Sequence, residues 1–170
     1  DIQNSIKAQE SRGYEQWAKI HNLKQAAKTM NFLTENKIEQ YADLVSRIEE
    51  VTAESEQTAD ALKSVEKRLA DMAVLMKHVA TYQKTKPVYD AYRKAKSKER
   101  YRAGHERDII LHEAAAKALK AAGITKLPNP AALQKEYEAL QAQKEVLYAD
   151  YGKLKKKVRE YDVIKQNIDS

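Results

Sequence analysis

From Tyr41 to Val79 the chain repeats its apolar residues in alternating steps of three and four. The series runs Tyr41, Leu44, Ile48, Val51, Ser55, Thr58, Leu62, Val65, Leu69, Met72, Met76 and Val79, and ten of these twelve are apolar. A seam sustained over 39 residues is the mark of a coiled-coil helix. At about 1.5 Å per residue such a helix is roughly 58 Å long. It needs a partner, because helices in water are held mainly by packing of their apolar face.

The partner is in the same chain. Leu133, Tyr137, Leu140, Lys144, Leu147, Tyr151, Leu154, Val158, Tyr161, Lys165 and Ile168 alternate in the same way. Read in opposite directions, the two series match step for step. Met76 is set against Leu133, Met72 against Tyr137, Leu62 against Leu147, and Tyr41 against Ile168. The small pair Ser55 and Thr58 then faces Leu154 and Tyr151, so that bulk fills where bulk is missing. A slip of one heptad would lose a layer. Only 4 Gly, 3 Pro and 1 Phe interrupt a sequence rich in strong helix formers. The expected fold is all-α: a long antiparallel coiled-coil hairpin with a helical basic tip and an additional N-terminal amphipathic helix.

Four segments follow from this pattern. Residues 1–37 form an N-terminal helical segment, whose polar first dozen residues are a frayed helix or linker ended by Gly13. Tyr14, Trp17, Ala18, Ile20, Leu23, Ala27, Met30 and Leu33 recur at helical spacing, and Thr34 to Lys37 close that helix. Residues 38–82 are the first arm, 83–129 the tip and 130–170 the second arm. Within the tip, Lys86-Pro87 predicts a break, because Pro disfavours helix in the residue before it. A short helix over about 88–96 follows, then one from about 99 or 105 to 122 that stops at Gly123. Ile109, Ile110, Leu111, Ala114, Ala118 and Leu119 supply its apolar face. Leu127-Pro-Asn-Pro130 turns the chain into the second arm, with Pro130 at a tolerated first-turn position.

Composition removes several classes of chemistry. There is no Cys, so disulfides and thiolate metal sites are excluded and a reducing compartment, the cytoplasm, is expected. No run of 18 apolar residues occurs and no signal peptide is visible, so no membrane partner is expected. The chain starts at Asp1 without Met and stops at Ser170 just after a heptad position, which predicts a segment of a longer protein. It has no Gly-rich phosphate loop, no Ser-His-Asp set at a strand–helix elbow and no evident paired carboxylates. No cofactor is implied.

Charge is the most informative feature. Residues 84–107 hold nine cations, Lys84, Lys86, Arg93, Lys94, Lys96, Lys98, Arg100, Arg102 and Arg107, against Asp90, Glu99 and Glu106. The excess equals the net charge of +6 for the whole chain, so the remainder is formally neutral. Tyr89, Tyr92 and Tyr101 are interleaved. Cations attract phosphates and tyrosine rings stack on unpaired bases, which marks all twelve side chains as candidate DNA ligands. The plainer explanation is a solvated basic helix whose tyrosines pack inward.

His105, Asp108 and His112 share one helical face at i, i+3 and i+7. They read as polar surface residues, and a metal there is the weaker reading, since the spacing is not that of a zincin and no fourth ligand is evident. His21 and His78 are isolated. Trp17 with Tyr14 is core more often than a recognition hot spot. Lys155-Lys156-Lys157 reads as a solvated coiled-coil surface.

Two stretches are distinctive beyond their helical pattern: GYEQWAKIHNLKQAAKTMNFLTE at residues 13–35, and YRKAKSKERYR at 92–102 with HERDIILH at 105–112 and KLP at 126–128. They resemble the region downstream of the nuclease domain in bacterial mobilisation relaxases, the group carried on integrative conjugative elements of Gram-positive bacteria. The resemblance covers nearly the whole chain, although any coiled coil scores in the arms. It implies a parent protein that nicks DNA at a transfer origin and pilots the strand during conjugation. That catalysis uses a Tyr nucleophile and a metal-binding His cluster in an upstream β-rich domain. No such domain lies in this chain, and no catalytic residue is carried over. The expected role is non-catalytic binding of transfer-origin or single-stranded DNA by the tip. The alternative is a protein-interaction module that recruits the coupling protein or other relaxosome partners, or dimerises the relaxase. A monomeric hairpin is expected ahead of a dimer.

Overall fold

The computed structural model describes the backbone of residues 12–170 and the side chains of residues 23–170. The side chains of Tyr14, Trp17, Ala18, Ile20 and His21, and the segment 1–11, lie outside the described residues. Among those described there are four helices and no strand: α1 (Arg12–Glu35), α2 (Tyr41–Lys94), α3 (Lys98–Ala121) and α4 (Pro130–Asp169). The fold is all-α, and its packing is that of a helical hairpin. The chain divides into two compact units, residues 1–60 with 148–170, and residues 61–147.

In the unit 61–147, α2 and α4 pair antiparallel along the seam that the sequence marks. Val65, Leu69 and Leu140 are buried together, with Met72, Tyr137 and Leu147 packed on them. Val79, Leu119 and Leu133 form a second cluster, joined by Met76, Tyr82, Ile124 and Leu127. Leu69 therefore meets Leu140 and Met76 meets Leu133, as the expected register requires. Burying each such Leu or Val stabilises by about 1.5–3 kcal/mol. The flanking pairs Arg68–Glu136 at 3.5 Å and Lys144–Glu66 at 3.9 Å are exposed and add little.

The helix α3 buries Ile109, His112, Ala115 and Leu119. The expected apolar face is therefore corrected: Ile110, Leu111 and Ala114 are exposed. The buried stripe keeps helical spacing, but it runs through a histidine. Gly123 closes α3 with φ +77, the left-handed conformation that costs a glycine nothing. Its N–H donates to the Lys120 carbonyl and that of Ile124 to the Leu119 carbonyl, a Schellman closure sealed by the Ile124–Leu119 contact. Asn129 then caps α4, its Oδ1 accepting from Ala131 N at 2.8 Å, and Pro130 takes the first helical position.

The expected break at Lys86-Pro87 does not occur, nor does the separate helix over 88–96. The helix α2 runs through Pro87 to Lys94, so the first arm does not stop at 82. Pro87 is exposed, and so is Gln83, whose carbonyl loses its donor and can turn to water. The opposite face carries Tyr82, Thr85, Tyr89 and Tyr92, which continue the helical period and are all at least half-buried.

In the unit formed by residues 1–60 and 148–170, Ile38, Leu44, Val51, Tyr161 and Ile164 are buried, with Phe32, Leu33, Ile48 and Val158 against them. Phe32 meets Tyr161 edge-on, ring centroids 5.0 Å apart. The Tyr41 hydroxyl donates to Asp169 Oδ1 at 2.9 Å, which pins the expected end of the register. Thr58 is not filled over as expected. Thr58 and Leu154 instead line an open groove of about 470 Å³.

The face expected for α1 is also corrected. Leu23 and Met30 are 69% and 61% exposed, and Thr29 is buried in their place. The turn out of α1 sets this rotation. Lys37 takes a left-handed φ of 56, and the Ile38 N–H donates to the Leu33 carbonyl at 2.9 Å. That closure draws Leu33 and Phe32 onto the core. It brings Thr29 and Gln25 to Asn167, whose Nδ2 donates to both.

Two substitutions test these assignments. Leu69→Ala should lower stability by about 2–5 kcal/mol in denaturant titrations, the range for a buried large-to-small change. Lys37→Gly should raise it by up to about 1 kcal/mol, because a left-handed L-residue costs roughly 1–2 kcal/mol and glycine returns part of that as chain entropy.

Candidate nucleic-acid interface

The basic segment spans the end of α2, the connection Ala95–Ser97 and the start of α3, all within the unit 61–147. Arg93 and Lys94 occupy the last turn of α2, where cations favour the helix dipole. Lys96 lies in the connection. Lys98 and Arg100 follow in the first turn of α3 beside Glu99. Ser97, in the N-cap position, is extended (φ −111, ψ 96) and its side chain makes no capping bond.

Seven of the nine cations, Lys84, Arg93, Lys94, Lys96, Lys98, Arg100 and Arg107, are exposed and in no ion pair among the described residues. The other two are engaged. Lys86 pairs with Asp90 one turn on at 2.7 Å. Each raises the charged form of the other, Lys86 held above and Asp90 below its ordinary range by their hydrogen bond. Arg102 donates to Glu113 at 3.1 Å and reaches Tyr92, its guanidinium 5.8 Å from the ring centroid. These bonds hold the Arg102 charge above its ordinary range.

The tyrosines do not stand free. Six rings form a continuous series in the order Tyr82, His112, Tyr89, Tyr92, Tyr101 and His105. His112 lies 4.4 Å from Tyr82 on one side and 4.4 Å from Tyr89 on the other. Tyr89 and Tyr92 follow at 5.9 Å, Tyr92 and Tyr101 at 6.4 Å, and Tyr101 and His105 at 4.1 Å. Each of the three candidate tyrosines thus has an aromatic neighbour on two sides. The series ties α2 to α3 across the basic connection.

His105 and His112 are not brought together, and among the described residues no three metal-ligating groups converge. His105 sits at a kink in α3, with φ −135 and ψ 27. Its Nδ1 donates to the Tyr101 carbonyl at 3.0 Å. His112, expected at the surface, is instead buried, only 3% exposed. Thr85 Oγ1 donates its one proton to the Thr81 carbonyl at 2.7 Å. It therefore accepts from His112 Nδ1 at 2.9 Å, which fixes the neutral tautomer. Burial holds this imidazole below its ordinary range, outweighing the Tyr82 carbonyl and the Asp90 charge that favour protonation. Sequence reading placed the tip at 83–129, left Tyr82 outside it, and missed that Tyr82 and Thr85 receive a buried His112. The signal was present: Val79, Tyr82, Thr85, Tyr89 and Tyr92 keep helical spacing across Pro87.

No protein-family model, curated protein or solved structure matches the chain.

The histidine makes stability pH-dependent. Unfolded, His112 binds a proton near its ordinary value of about 6.5. Folded, it does so only at lower pH, so the unfolded chain binds more protons in the window below about 6.5 and stability falls there with falling pH. The melting temperature should therefore drop between about pH 7 and pH 5, and His112→Gln should flatten that drop.

Proposed function

We propose that this chain is the C-terminal helical region of a conjugative mobilisation relaxase, acting in the bacterial cytoplasm, and that its basic end holds DNA by the phosphate backbone. The observation that carries the reading is the set of seven exposed cations in no ion pair among the described residues, five of which, Arg93, Lys94, Lys96, Lys98 and Arg100, lie at one helix connection. Phosphate contacts of this kind position a protein on nucleic acid without reading sequence. The likeness of residues 13–35 and 92–112 to relaxase tails supplies the biological setting: transfer-origin DNA or the displaced single strand.

The geometry supports a narrower role for the tyrosines than base stacking. Their faces are turned to one another and to the histidines, so they stiffen the support on which the cations stand. Arg102 belongs to that support as well. The second reading, recruitment of the coupling protein or other relaxosome partners, draws on the exposed Leu23 and Met30 of α1.

A fluorescence titration with single- and double-stranded oligonucleotides at several salt concentrations tests the proposal. If about four phosphates are engaged, log K should fall against log salt with a slope of about −3 for a single strand. Replacing Arg93, Lys94, Lys98 and Arg100 with Glu should abolish binding and leave the melting temperature nearly unchanged, since all four are solvated. Tyr89→Ala should instead lower the melting temperature. Binding that survives the charge reversals would remove the tip from the mechanism. A parent chain that fails to bind at low salt would favour recruitment.

A further inference from the structure

A second surface lies in the other unit, away from the basic connection in sequence. Beside α1, the C-terminal part of α4 bounds an open groove of about 700 Å³. Gln25, Lys28 and Phe32 contribute from α1 at steps of three and four, so they share one face of that helix. Lys156, Arg159, Val163 and Asn167 do the same from α4.

The groove has an apolar floor and a charged rim. Phe32 and Ile164 form the floor where they also close the core. Val163 adjoins them and is 50% exposed. It belongs to neither coiled-coil seam, and no neighbour among the described residues buries it. Three cations stand around it, Lys28 on α1 and Lys156 and Arg159 on α4, against one acid, Glu160. None of these four is in an ion pair among the described residues.

We propose that this groove docks an acidic amphipathic helix of a partner protein. Two walls made of helix faces offer a third helix ridges to pack between, which is how apolar helical anchors enter a groove. The floor supplies the apolar contact and the rim selects the sign of the partner's charge. A nucleic-acid backbone would satisfy the rim but would leave Phe32 and Val163 against its charged surface. A second copy of this chain is a poorer match. Its most acidic stretch, residues 49–60 with five acids and no Lys or Arg, already spends its apolar face on this chain's own core, where Val51 is buried. The proposal is independent of DNA binding by the basic connection, because the two surfaces share no residue.

The test uses the whole chain and a fluorescein-labelled peptide with leucines at helical spacing on one face and glutamates elsewhere. Its polarisation should rise saturably with protein, and the peptide should gain helicity. A sister peptide with lysines in place of the glutamates should not bind. The double variant Lys156→Glu with Arg159→Glu should weaken binding by tenfold or more and reduce its salt dependence, as expected for rim charges. Val163→Glu should weaken it similarly, with the melting temperature and oligonucleotide affinity of the parent retained. No saturable binding by the parent chain would overturn the proposal. So would equal binding of the two peptides, or parent-like affinity in either variant. An oligonucleotide whose affinity falls with Lys156→Glu and Arg159→Glu, while the acidic peptide fails to bind, would reassign the surface to nucleic acid.

Discussion

Burial of the α2–α4 seam is the constraint on which the other elements depend. Each helix carries one narrow apolar stripe, and neither could persist in water with that stripe exposed. Pairing them antiparallel sets Leu69 beside Leu140 and Met76 beside Leu133. It equally sets Tyr41 beside Asp169. A two-stranded seam leaves gaps at its margins, and the shorter helices are recruited there. In one unit α3 delivers Leu119 against Val79 and Leu133. In the other, Phe32 and Leu33 of α1 close over Tyr161 and Leu44. The turns that lead out of α1 and α3 follow the same design. A left-handed residue, Lys37 or Gly123, lets an apolar residue just after the helix fold back onto it.

Much of this could be read from the residues. The seam positions, their register, the stops at Lys37 and Gly123 and the start at Pro130 all rest on local rules that the packing did not overrule. The departures on the faces of α1 and α3 share one cause. Each apolar face was assigned by hydrophobicity alone, and in each the structure buries a polar residue that has found a partner. Thr29 goes in at the expense of Met30 because Asn167 donates to it. His112 goes in at the expense of Leu111 because Thr85 and two tyrosine rings receive it. A satisfied polar group costs little to bury, but its partner lies far along the chain and periodicity cannot see it. Pro87 misled for a related reason: its cost falls on an exposed carbonyl, while the gain lies on the face that carries Tyr82, Thr85 and Tyr89.

The same polar burial explains how a run of cations can sit on ordered helices. Like charges crowded at one connection repel one another and would favour fraying. Here the rings of α2 and α3 lock together, and Arg102 spans from Tyr92 to Glu113 across the kink at His105. If these cations hold a polyanion, as proposed, such a support already keeps them near their binding positions. A ligand then loses less of its binding energy to ordering them than it would on a loose loop.

The first turn of α3 breaks two local rules at once. Its cap is idle, since the Ser97 side chain makes no bond to the free N–H groups. Its charge has the unfavourable sign, with Lys98 and Arg100 placed at the positive end of the helix dipole and only Glu99 to offset them. Local rules are broken most often where a function requires it. Two changes would remove the strain. An acid in place of the lysine would stabilise the helix and cancel part of the basic surface. A bound polyanion would do the same for the helix while using that surface, accepting from the free N–H groups and neutralising the cations together. The retained cost is thus understandable if the partner is anionic. It is hard to account for if the connection is only a turn between helices, which is why the phosphate backbone is the ligand we propose.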